Sequence, residues 1–487
     1  MPKRCGSFCF ITRLISKDYA RLTHHTLIHI KSHFYSGYYC VILLSLYSEN
    51  EYFMKKKSLL ERVFGFNSKE HKVKTEVMAG ITTFFTMAYI LAVNPDILAA
   101  AGMDEGAVFT VTVLISALAT LLMAVYAKLP FALAPGMGLN AFFAYTICVS
   151  MGYSWQMALT AVLMEGIIFI LLTLTNLREK IVYSIPRCLH VAIGAGIGLF
   201  ILFLGMQNGS LVVRDEATMV ALGDITSSTA LLCCIGLLIT ATLIYKKVPG
   251  AMLYGIVLTT LLGIPLGVTE YKGVFSLPPN PEPIMFKFDV SFFGTIDFWI
   301  VMFTLLFVDM FDTIGTLLGV AQHADMVDKK TGKMPWMKKA FMVDAISTTA
   351  GAMMGSSTVT TFTESTSGIA AGGRTGLTSF AVTCCFVLSL FLSPLFLSMP
   401  GAATAPVLIL VGCMMLSGIS KINFNDFSES VPSILCITMM AFACSIADGI
   451  AFGLMFYVGM KVLSGQYKQV PISTYILAAL FMLKFVL

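Results

Sequence analysis

Long apolar stretches follow one another along most of this chain, with short polar connections between them. Most have the length of about 20 residues that a helix needs to cross a bilayer. A last piece, 471–487, is barely long enough and is either a further span or a helix at the interface. The pattern predicts spans at 75–94, 107–126, 131–150, 155–175, 189–207, 229–245, 250–267, 297–320, 340–355, 360–373, 376–399, 403–419, 432–446 and 447–463.

A polar, proline-rich connection divides these spans into two sets of seven. It contains the sequence LPPNPEP at Leu277–Pro283. In each set the third element is interrupted (Ala134–Asn140 and Ser356–Thr366), and the fifth begins at a proline (Pro186 and Pro400). Because seven is odd, a second copy must enter the membrane upside down, as in the inverted repeats of many transporters. We therefore predict a first repeat at 54–276, a connection at 277–296 and a second repeat at 297–487.

Composition and charge support this all-α, multi-pass membrane architecture. Hydrophobic residues make up 57% of the chain and charged residues 12%, whereas soluble domains carry about 25% charged residues. Basic residues are concentrated on alternate connections, which by the positive-inside rule predicts a cytoplasmic N-terminus. The basic connections contain Lys55 to Lys74, Lys128, Arg178, Lys180, Arg187, Lys246, Lys247, Lys329 to Lys339, Arg374 and Lys421.

Residues 1–53 differ from the rest of the chain, because they mix basic, aromatic and histidine residues without a membrane pattern. One interpretation is a metal-binding or targeting extension. The other is sequence upstream of the true start, since Met54 is followed by three lysines and then by the orderly pattern of spans.

Two aspartates lie inside the apolar stretch Met302–Val320, at Asp309 and Asp312. A carboxylate near the bilayer centre costs about 2.5–3.5 kcal/mol on insertion scales, so it persists where it faces protein or a wet cavity. The i, i+3 spacing places both acids on one side of a helix. We interpret this face as the lining of a solute site.

Two interrupted segments are the other candidates for such a site. Pro135, Gly136 and Gly138 break the first, and broken backbone at membrane depth is tolerated where it lines a cavity or is buried in protein. The second has an extended, threonine-rich run, after which a helix begins at Glu364 and ends near Gly372 and Gly373.

These features predict one site built from Asn140, Asp309, Asp312 and Glu364. Structural roles are the alternative, with Asn140 capping the next helix and the acids pairing with one another or with threonine hydroxyls. Asp448, at the start of a late span, has either an interfacial position or a role in gating. The sequence contains no HExxH, Gly-x-Ser-x-Gly or Walker motif, which argues against a membrane enzyme and an ATP-driven pump.

Several strings in this order resemble the nucleobase–cation symporter-2 superfamily, in its adenine/guanine/hypoxanthine permease branch. The strings are TEVMAGITTFFTMAYILAVNP (75–95), APGMGLNAFFAYT (134–146), FVDMFDTIGTLLGVA (307–321), TESTSGIAAGGRTGLTS (363–379) and IADGIAFG (446–453). The resemblance implies fourteen transmembrane segments in two inverted repeats of seven, with broken third and tenth segments. It also implies a core domain that moves as an elevator against a gate domain, which carries a homodimer contact.

The resemblance further implies proton-coupled import of purine bases across the plasma membrane. It places polar site positions on Asn140, Asp309 and Glu364 and another acid on Asp448. A carboxylate such as Glu364 can accept two hydrogen bonds from adjacent donors on a base edge. Because burial disfavours a charged carboxylate, the candidates for proton coupling are Asp309, Asp312 and Glu364. Predicted substrate contacts also include Thr363 and Phe362, and the other candidate stacking rings are Phe84, Phe85 and Phe142.

Two other functions remain open from the residues. The same fold could carry another small solute or an anion, although an anion site would be expected to present a positive group instead of Glu364. A membrane-embedded acid–base enzyme is the second alternative, although we predict a transporter and no enzyme. We expect the proton as coupling ion and no metal, other cofactor or nucleic-acid partner. The order of preference among guanine, hypoxanthine and adenine is not determined by the sequence.

Overall fold

The computed structural model describes residues 59–175, 186–323, 326, 334, 336–443 and 445–486. The interpretations of residues 1–53, and of the basic residues Arg178, Lys180, Lys329, Lys330 and Lys333, therefore lie outside the described residues. Many helices begin at a residue whose side chain accepts a hydrogen bond from the first turn, which is a strong N-terminal signal. These residues are Asp104, Ser154, Ser227, Thr375, Asp426 and Ser445.

The first half of the chain contains nine helices and three strands among its described residues. Two helices continue as π-helical stretches, Met123–Ala127 and Phe142–Ser150. In order, the elements are α1 (Leu59–Phe64), α2 (Val73–Met87), α3 (Ile90–Ala99), α4 (Glu105–Leu122), β1 (Leu133–Pro135), α5 (Met137–Ala141), α6 (Trp155–Leu174), α7 (Arg187–Asn208), β2 (Val212–Asp215), β3 (Met219–Leu222), α8 (Ser228–Tyr245) and α9 (Ala251–Gly263).

The second half contains nine further helices and one strand among its described residues. Short 3-10 helices lie at Ser291–Gly294, Leu390–Leu392, Ser417–Lys421 and Tyr467–Gln469. The main elements are α10 (Ile296–His323), α11 (Met337–Met354), β4 (Val359–Thr361), α12 (Ser365–Ala370), α13 (Gly376–Ser389), α14 (Ser393–Phe396), α15 (Gly401–Leu416), α16 (Phe427–Phe442), α17 (Ile446–Leu463) and α18 (Ile472–Val486).

The helices follow the predicted spans closely. Within the described residues, seven are long and apolar enough to cross a membrane. Two predicted spans differ from the observed helices. The span predicted at 432–446 begins at Phe427, because Asp426 accepts a hydrogen bond from the backbone N–H of Ser428 and starts the helix earlier. The first span consists of two helices, α2 and α3, separated at Ala88 and Tyr89.

The helices pack mainly within two groups. The first helix group contains α2–α6 and α10–α13 together with strands β1 and β4, and the second contains α7–α9 and α15–α17. The predicted breaks in the third and tenth elements both lie in the first group. The fifth elements of the two halves, α7 and α15, begin after Pro186 and Pro400 and pack against each other in the second group.

Strands β1 and β4 pair antiparallel in the middle of the first helix group. Leu133 lies opposite Thr361, and Pro135 lies opposite Val359. Backbone hydrogen bonds from Gly136 N to Thr358 O and from Phe362 N to Ala132 O extend the pairing. All three residues of each strand are buried. The opposed direction of the two corresponding segments is what an inverted repeat predicts.

Two polar contacts join the helix groups at the C-terminal ends of α3 and α7. Thr404 Oγ1, in the first turn of α15, donates to Asp96 Oδ2 of α3 at 3.0 Å. Tyr145 lies beside Asn208 at the end of α7, with its hydroxyl oxygen 3.3 Å from Asn208 Nδ2. Asp96 and Tyr145 are close enough to interact electrostatically. We call these four side chains the end contacts.

Candidate functional site

A cavity of about 90 Å³ lies where the paired strands meet the second helix group. On a scale of about 10–15 Å³ per water, it has room for roughly six to nine water molecules. The first helix group lines it with mostly polar residues, and the second with apolar ones. Its lining is Tyr89, Gly136, Met137, Gly138, Asp312, Thr316, Thr360, Thr361, Phe362, Thr363 and Glu364 from the first group and Ile197, Ile201, Val411 and Met415 from the second.

Glu364 stands at the N-cap of α12, in the predicted position just after the extended run. Its carboxylate receives two side-chain hydrogen bonds. The hydroxyl of the fully buried Tyr89 donates to Oε1 at 2.6 Å, and Thr363 Oγ1 donates to Oε2 at 3.2 Å. These bonds orient the carboxylate and leave each oxygen with further acceptor capacity. Glu364 can therefore accept hydrogen bonds from a solute in the cavity.

Asp312 is the second acid of the cavity lining. Asp312 and Thr360 of β4 both line the cavity, where α10 packs against the strand pair. Glu364 also lines this cavity. The cavity lining includes no lysine, arginine or histidine among the described residues. In the part of the chain that the structure describes, the site thus has acidic groups and no basic group in its wall.

Asp309 lies one turn before Asp312 and is fully buried away from the cavity. Thr313 Oγ1 donates to Asp309 Oδ1 at 2.9 Å and is also 3.3 Å from Asp344 Oδ1 on α11. The structure therefore places the two predicted aspartates of α10 in different surroundings. Asp312 is at the cavity, and Asp309 is in the contact between α10 and α11.

Asn140 is also outside the cavity lining, in a chain of buried hydrogen bonds. Its Nδ2 donates to Asn94 Oδ1 at 2.5 Å, and its Oδ1 accepts from the hydroxyl of Ser357. Asn94 Nδ2 in turn donates to Thr112 Oγ1 at 2.7 Å. All four side chains are at most 1% exposed. This polar chain joins α4, α3 and α5 to the segment that leads into β4. Since Gly136 is the N-cap of α5, Asn140 does not cap that helix.

Some of the remaining predicted residues line the cavity and others lie outside its lining. Phe362 and Thr363 line the cavity, whereas Phe84, Phe85 and Phe142 do not. Asp448 lies in the first turn of α17 and is half-buried, away from the cavity lining. The structure thus gathers Asp312, Phe362, Thr363 and Glu364 around one space.

Glu76, an acid outside the cavity lining, supports the segment that follows α12, the helix that begins after Glu364. Glu76 is fully buried in α2 and accepts hydrogen bonds from Arg374 N, Thr375 N and the Thr378 hydroxyl at the start of α13. The guanidinium of Arg374 donates to Ile369 O at 2.6 Å and to Gly373 O at 2.8 Å. Ile369 is in the last turn of α12 and Gly373 follows that helix, so these bonds fix the guanidinium against the C-terminal end of α12.

Sequence reasoning missed Tyr89, Thr360 and the apolar side of the cavity. Tyr89 carried a signal, because a tyrosine in an apolar span needs a partner for its hydroxyl. In an extended run, alternate residues share a face, which would have grouped Thr360 with Phe362. The apolar residues of α7 and α15 carried no signal of their own.

Comparison with known proteins identifies the family. The xanthine/uracil permease model, described as "Permease family", matches residues 74–452. The chain is 43% identical over 430 residues to the adenine permease AdeP of Escherichia coli strain K12, covering 88% of this chain and 96% of that protein. It is 40% identical over 430 residues to the guanine/hypoxanthine permease PbuO of Bacillus subtilis strain 168, covering 87% and 99%.

A solved structure supports the fold. The transmembrane domain of the cyanobacterial bicarbonate transporter BicA matches with a TM-score of 0.57 at 16% identity, covering 81% of this chain and 99% of that one. This low identity shows similarity of fold alone. The sequence relatives are permeases, which confirms the prediction that the chain is not an enzyme. The protein therefore belongs to the nucleobase–cation symporter-2 family of multi-pass membrane permeases.

Proposed function

We propose that this protein imports purine nucleobases, guanine, hypoxanthine or adenine, together with a proton. The observation that carries the proposal is the Glu364 carboxylate, oriented by Tyr89 and Thr363 at the edge of a small cavity. A purine base is flat and presents ring N–H donors beside carbonyl or amino groups. A carboxylate accepts such donors through charge-assisted hydrogen bonds, which are about twice as strong as neutral ones.

The shape and polarity of the cavity support a base as solute. Its volume of about 90 Å³ suits a small fused-ring molecule rather than a nucleotide. One side offers carboxylate and hydroxyl groups for the edge of the ring, and the other offers aliphatic and thioether side chains for its face. Among the phenylalanines predicted to stack on the base, Phe362 lines the cavity.

The acidic lining supports proton coupling. Asp312 and Glu364 line one space with no basic group in its described lining. Like charges that face one low-dielectric space disfavour each other, so binding a proton with the solute lowers the electrostatic cost. We assign the coupling proton to this pair in preference to Asp309, which lies outside the lining.

The two helix groups support alternating access by an elevator movement. In this proposal the first group is the core domain that carries the base, and the second is the gate domain that holds a homodimer contact in the plasma membrane. Both paired strands and both acids would travel with the first group. In this proposal the N-terminus is cytoplasmic, which the positive-inside rule predicts from the basic connections.

Anion transport, which BicA's fold also serves, fits the site less well. An anion would have to approach Glu364 and Asp312 without a basic partner in the described lining. A neutral base that arrives with a proton meets no such repulsion. The charge of the lining therefore favours the purine proposal.

Uptake of labelled hypoxanthine, guanine and adenine into a bacterial strain lacking its own purine permeases tests the proposal. The variants are Glu364→Gln, Asp312→Asn and, as a matched control, Glu270→Gln, which is exposed in a connection. We expect saturable uptake that a protonophore abolishes. Because a hydrogen bond to a charged group contributes about 1.5–3 kcal/mol, Glu364→Gln should reduce uptake efficiency roughly 10- to 150-fold.

The control and the possible outcomes test the solute, the coupling to a proton and the coupling acid separately. Glu270→Gln should behave like the wild type. If a membrane-inserted wild-type protein takes up none of the three bases, the purine proposal is wrong. If uptake persists with a protonophore, the solute assignment stands and proton coupling fails. If Asp312→Asn keeps the normal dependence on the pH gradient, Asp312 is excluded as the coupling acid.

A further inference from the structure

The apolar side of the cavity is made by two helices of the second group. Ile197 and Ile201 come from α7, and Val411 and Met415 come from α15. The residues lie four apart on each helix, so each pair forms one stripe along a helix face. None of these four side chains can form a strong hydrogen bond. The apolar wall can therefore distinguish solutes only by their shape.

Two glycines hold the apolar wall in place. A Cβ added at Gly198 would lie 2.5 Å from Met415 Cβ and 2.9 Å from Gly412 O, and one added at Gly412 would lie 2.5 Å from Gly198 O. The backbones of α7 and α15 are therefore in direct contact beside the cavity. Because helices already in backbone contact cannot come closer, the wall cannot move by tightening this crossing.

The four side chains of the wall differ in their freedom. A Cβ added at Gly138, on the opposite side of the cavity, would lie 2.7 Å from Ile197 Cγ2, so Ile197 closes one end of the space. The β-branched side chains have few χ1 rotamers. Met415 is unbranched, half-buried and adaptable. Met415 is therefore the part of the wall whose size and rotamer decide how much room a solute has.

We infer that the apolar wall is the size filter of this transporter and that Met415 limits which ring substituents a transported purine can carry. This inference rests on the proposed purine solute. The polar side recognises the edge of the ring through Glu364, while the wall contacts the rest of the ring. Specificity for hydrogen-bonding groups and specificity for size thus belong to different helix groups.

Competition with a graded series of purines tests the inference. Uptake of the labelled base that the wild type transports is measured against unlabelled analogues with hydrogen, methyl, ethyl and benzyl substituents at one ring position. The variants are Met415→Ala, the volume-conserving Met415→Leu, and Met414→Ala as matched control. Met414 is the residue before Met415 on α15, is 55% exposed and does not line the cavity.

The largest analogues are expected to inhibit the wild type poorly. We expect such an analogue to inhibit Met415→Ala at a concentration at least tenfold lower than it needs for the wild type. The half-saturation concentration of Met415→Ala for the unsubstituted base should rise, because that base loses a contact with the wall, so the two effects have opposite directions. Met415→Leu and Met414→Ala should keep the wild-type order of inhibition. The amount of each variant in the membrane is measured alongside and used to scale its uptake rate, because the order of inhibition by the analogues does not depend on abundance.

Three results would contradict the inference. An unchanged size order in Met415→Ala overturns it while leaving purine transport intact. An equal change in Met414→Ala shows that the effect does not come from the cavity and also overturns it. Failure of the wild type to take up any purine overturns both this inference and the function on which it rests.

Discussion

The placement of Asn140 leads to a prediction that separates a solute contact from a structural one. Asn140 and Asn94 share a hydrogen bond of 2.5 Å inside a fully buried polar chain, and neither lines the cavity. Asn140→Leu and Asn94→Leu break the same bond with little change in volume. We therefore expect them to have the same phenotype: less folded transporter, with a half-saturation concentration for the base within about threefold of wild type.

The magnitude follows from the groups left without partners. Asn94→Leu strands the Asn140 Nδ2 donor, and Asn140→Leu strands Asn94 Oδ1 and the Ser357 hydroxyl. A buried polar group without a partner costs about 1–3 kcal/mol. Side-chain pairs in a membrane protein show measured couplings of about 0.6 kcal/mol on average and about 1.7 at most. Because this bond is short and dry, we expect a coupling of about 1–1.7 kcal/mol.

The assay combines uptake kinetics with unfolding of the purified protein. The free energy of unfolding is measured for wild type, both single variants and the double variant, with Asn425→Leu in an exposed connection as control. The double variant should lose less stability than the sum of the single variants. If Asn140→Leu raises the half-saturation concentration more than tenfold while Asn94→Leu does not, Asn140 contacts the solute and our reasoning is refuted.

Two further predictions concern how the helices around the cavity are held. Gly198→Ala should lower the free energy of unfolding by about 1–3 kcal/mol through overpacking. Gly194→Ala on the same helix, where an added Cβ meets nothing within 4 Å, should be neutral. Equal thermal stability of the two variants would contradict the close crossing of α7 and α15. Arg374→Gln should cost about 1.5–3 kcal/mol by removing charged donors from the end of α12, with Arg374→Lys intermediate. If Arg374→Gln unfolds at the wild-type temperature, the guanidinium does not support that helix.

The elements that sequence reasoning predicted well depend on local chemistry. Pro135 and Gly136 exclude a continuous helix, and the threonine-rich run before Glu364 favours extended backbone, so both breaks could be read residue by residue. Their antiparallel pairing is what the predicted inverted repeat would produce. The break at Ala88 and Tyr89 could not be read, because Met87 to Ile90 contain neither proline nor glycine.

The side chains were harder to place than the backbone. Asp309 and Asp312 are three residues apart, and at 3.6 residues per turn they point about 60° apart around the helix. That angle is enough for one to face the cavity and the other to face α11. The surroundings of Asn140 and the composition of the apolar wall depend on which helices pack together, and these helices are far apart in the sequence. No local pattern in a single sequence carries that information.

The end contacts affect how unloaded protein molecules are distributed between conformations. They join the two helix groups through one bond between Asp96 and Thr404 and one between Tyr145 and Asn208. At about 1 kcal/mol net for each bond, separating both costs about 2 kcal/mol. On that basis only about one molecule in thirty would rest with this end apart. A bias of this size holds the unloaded protein mostly in one conformation, yet a ligand with a few kcal/mol of differential affinity can reverse it.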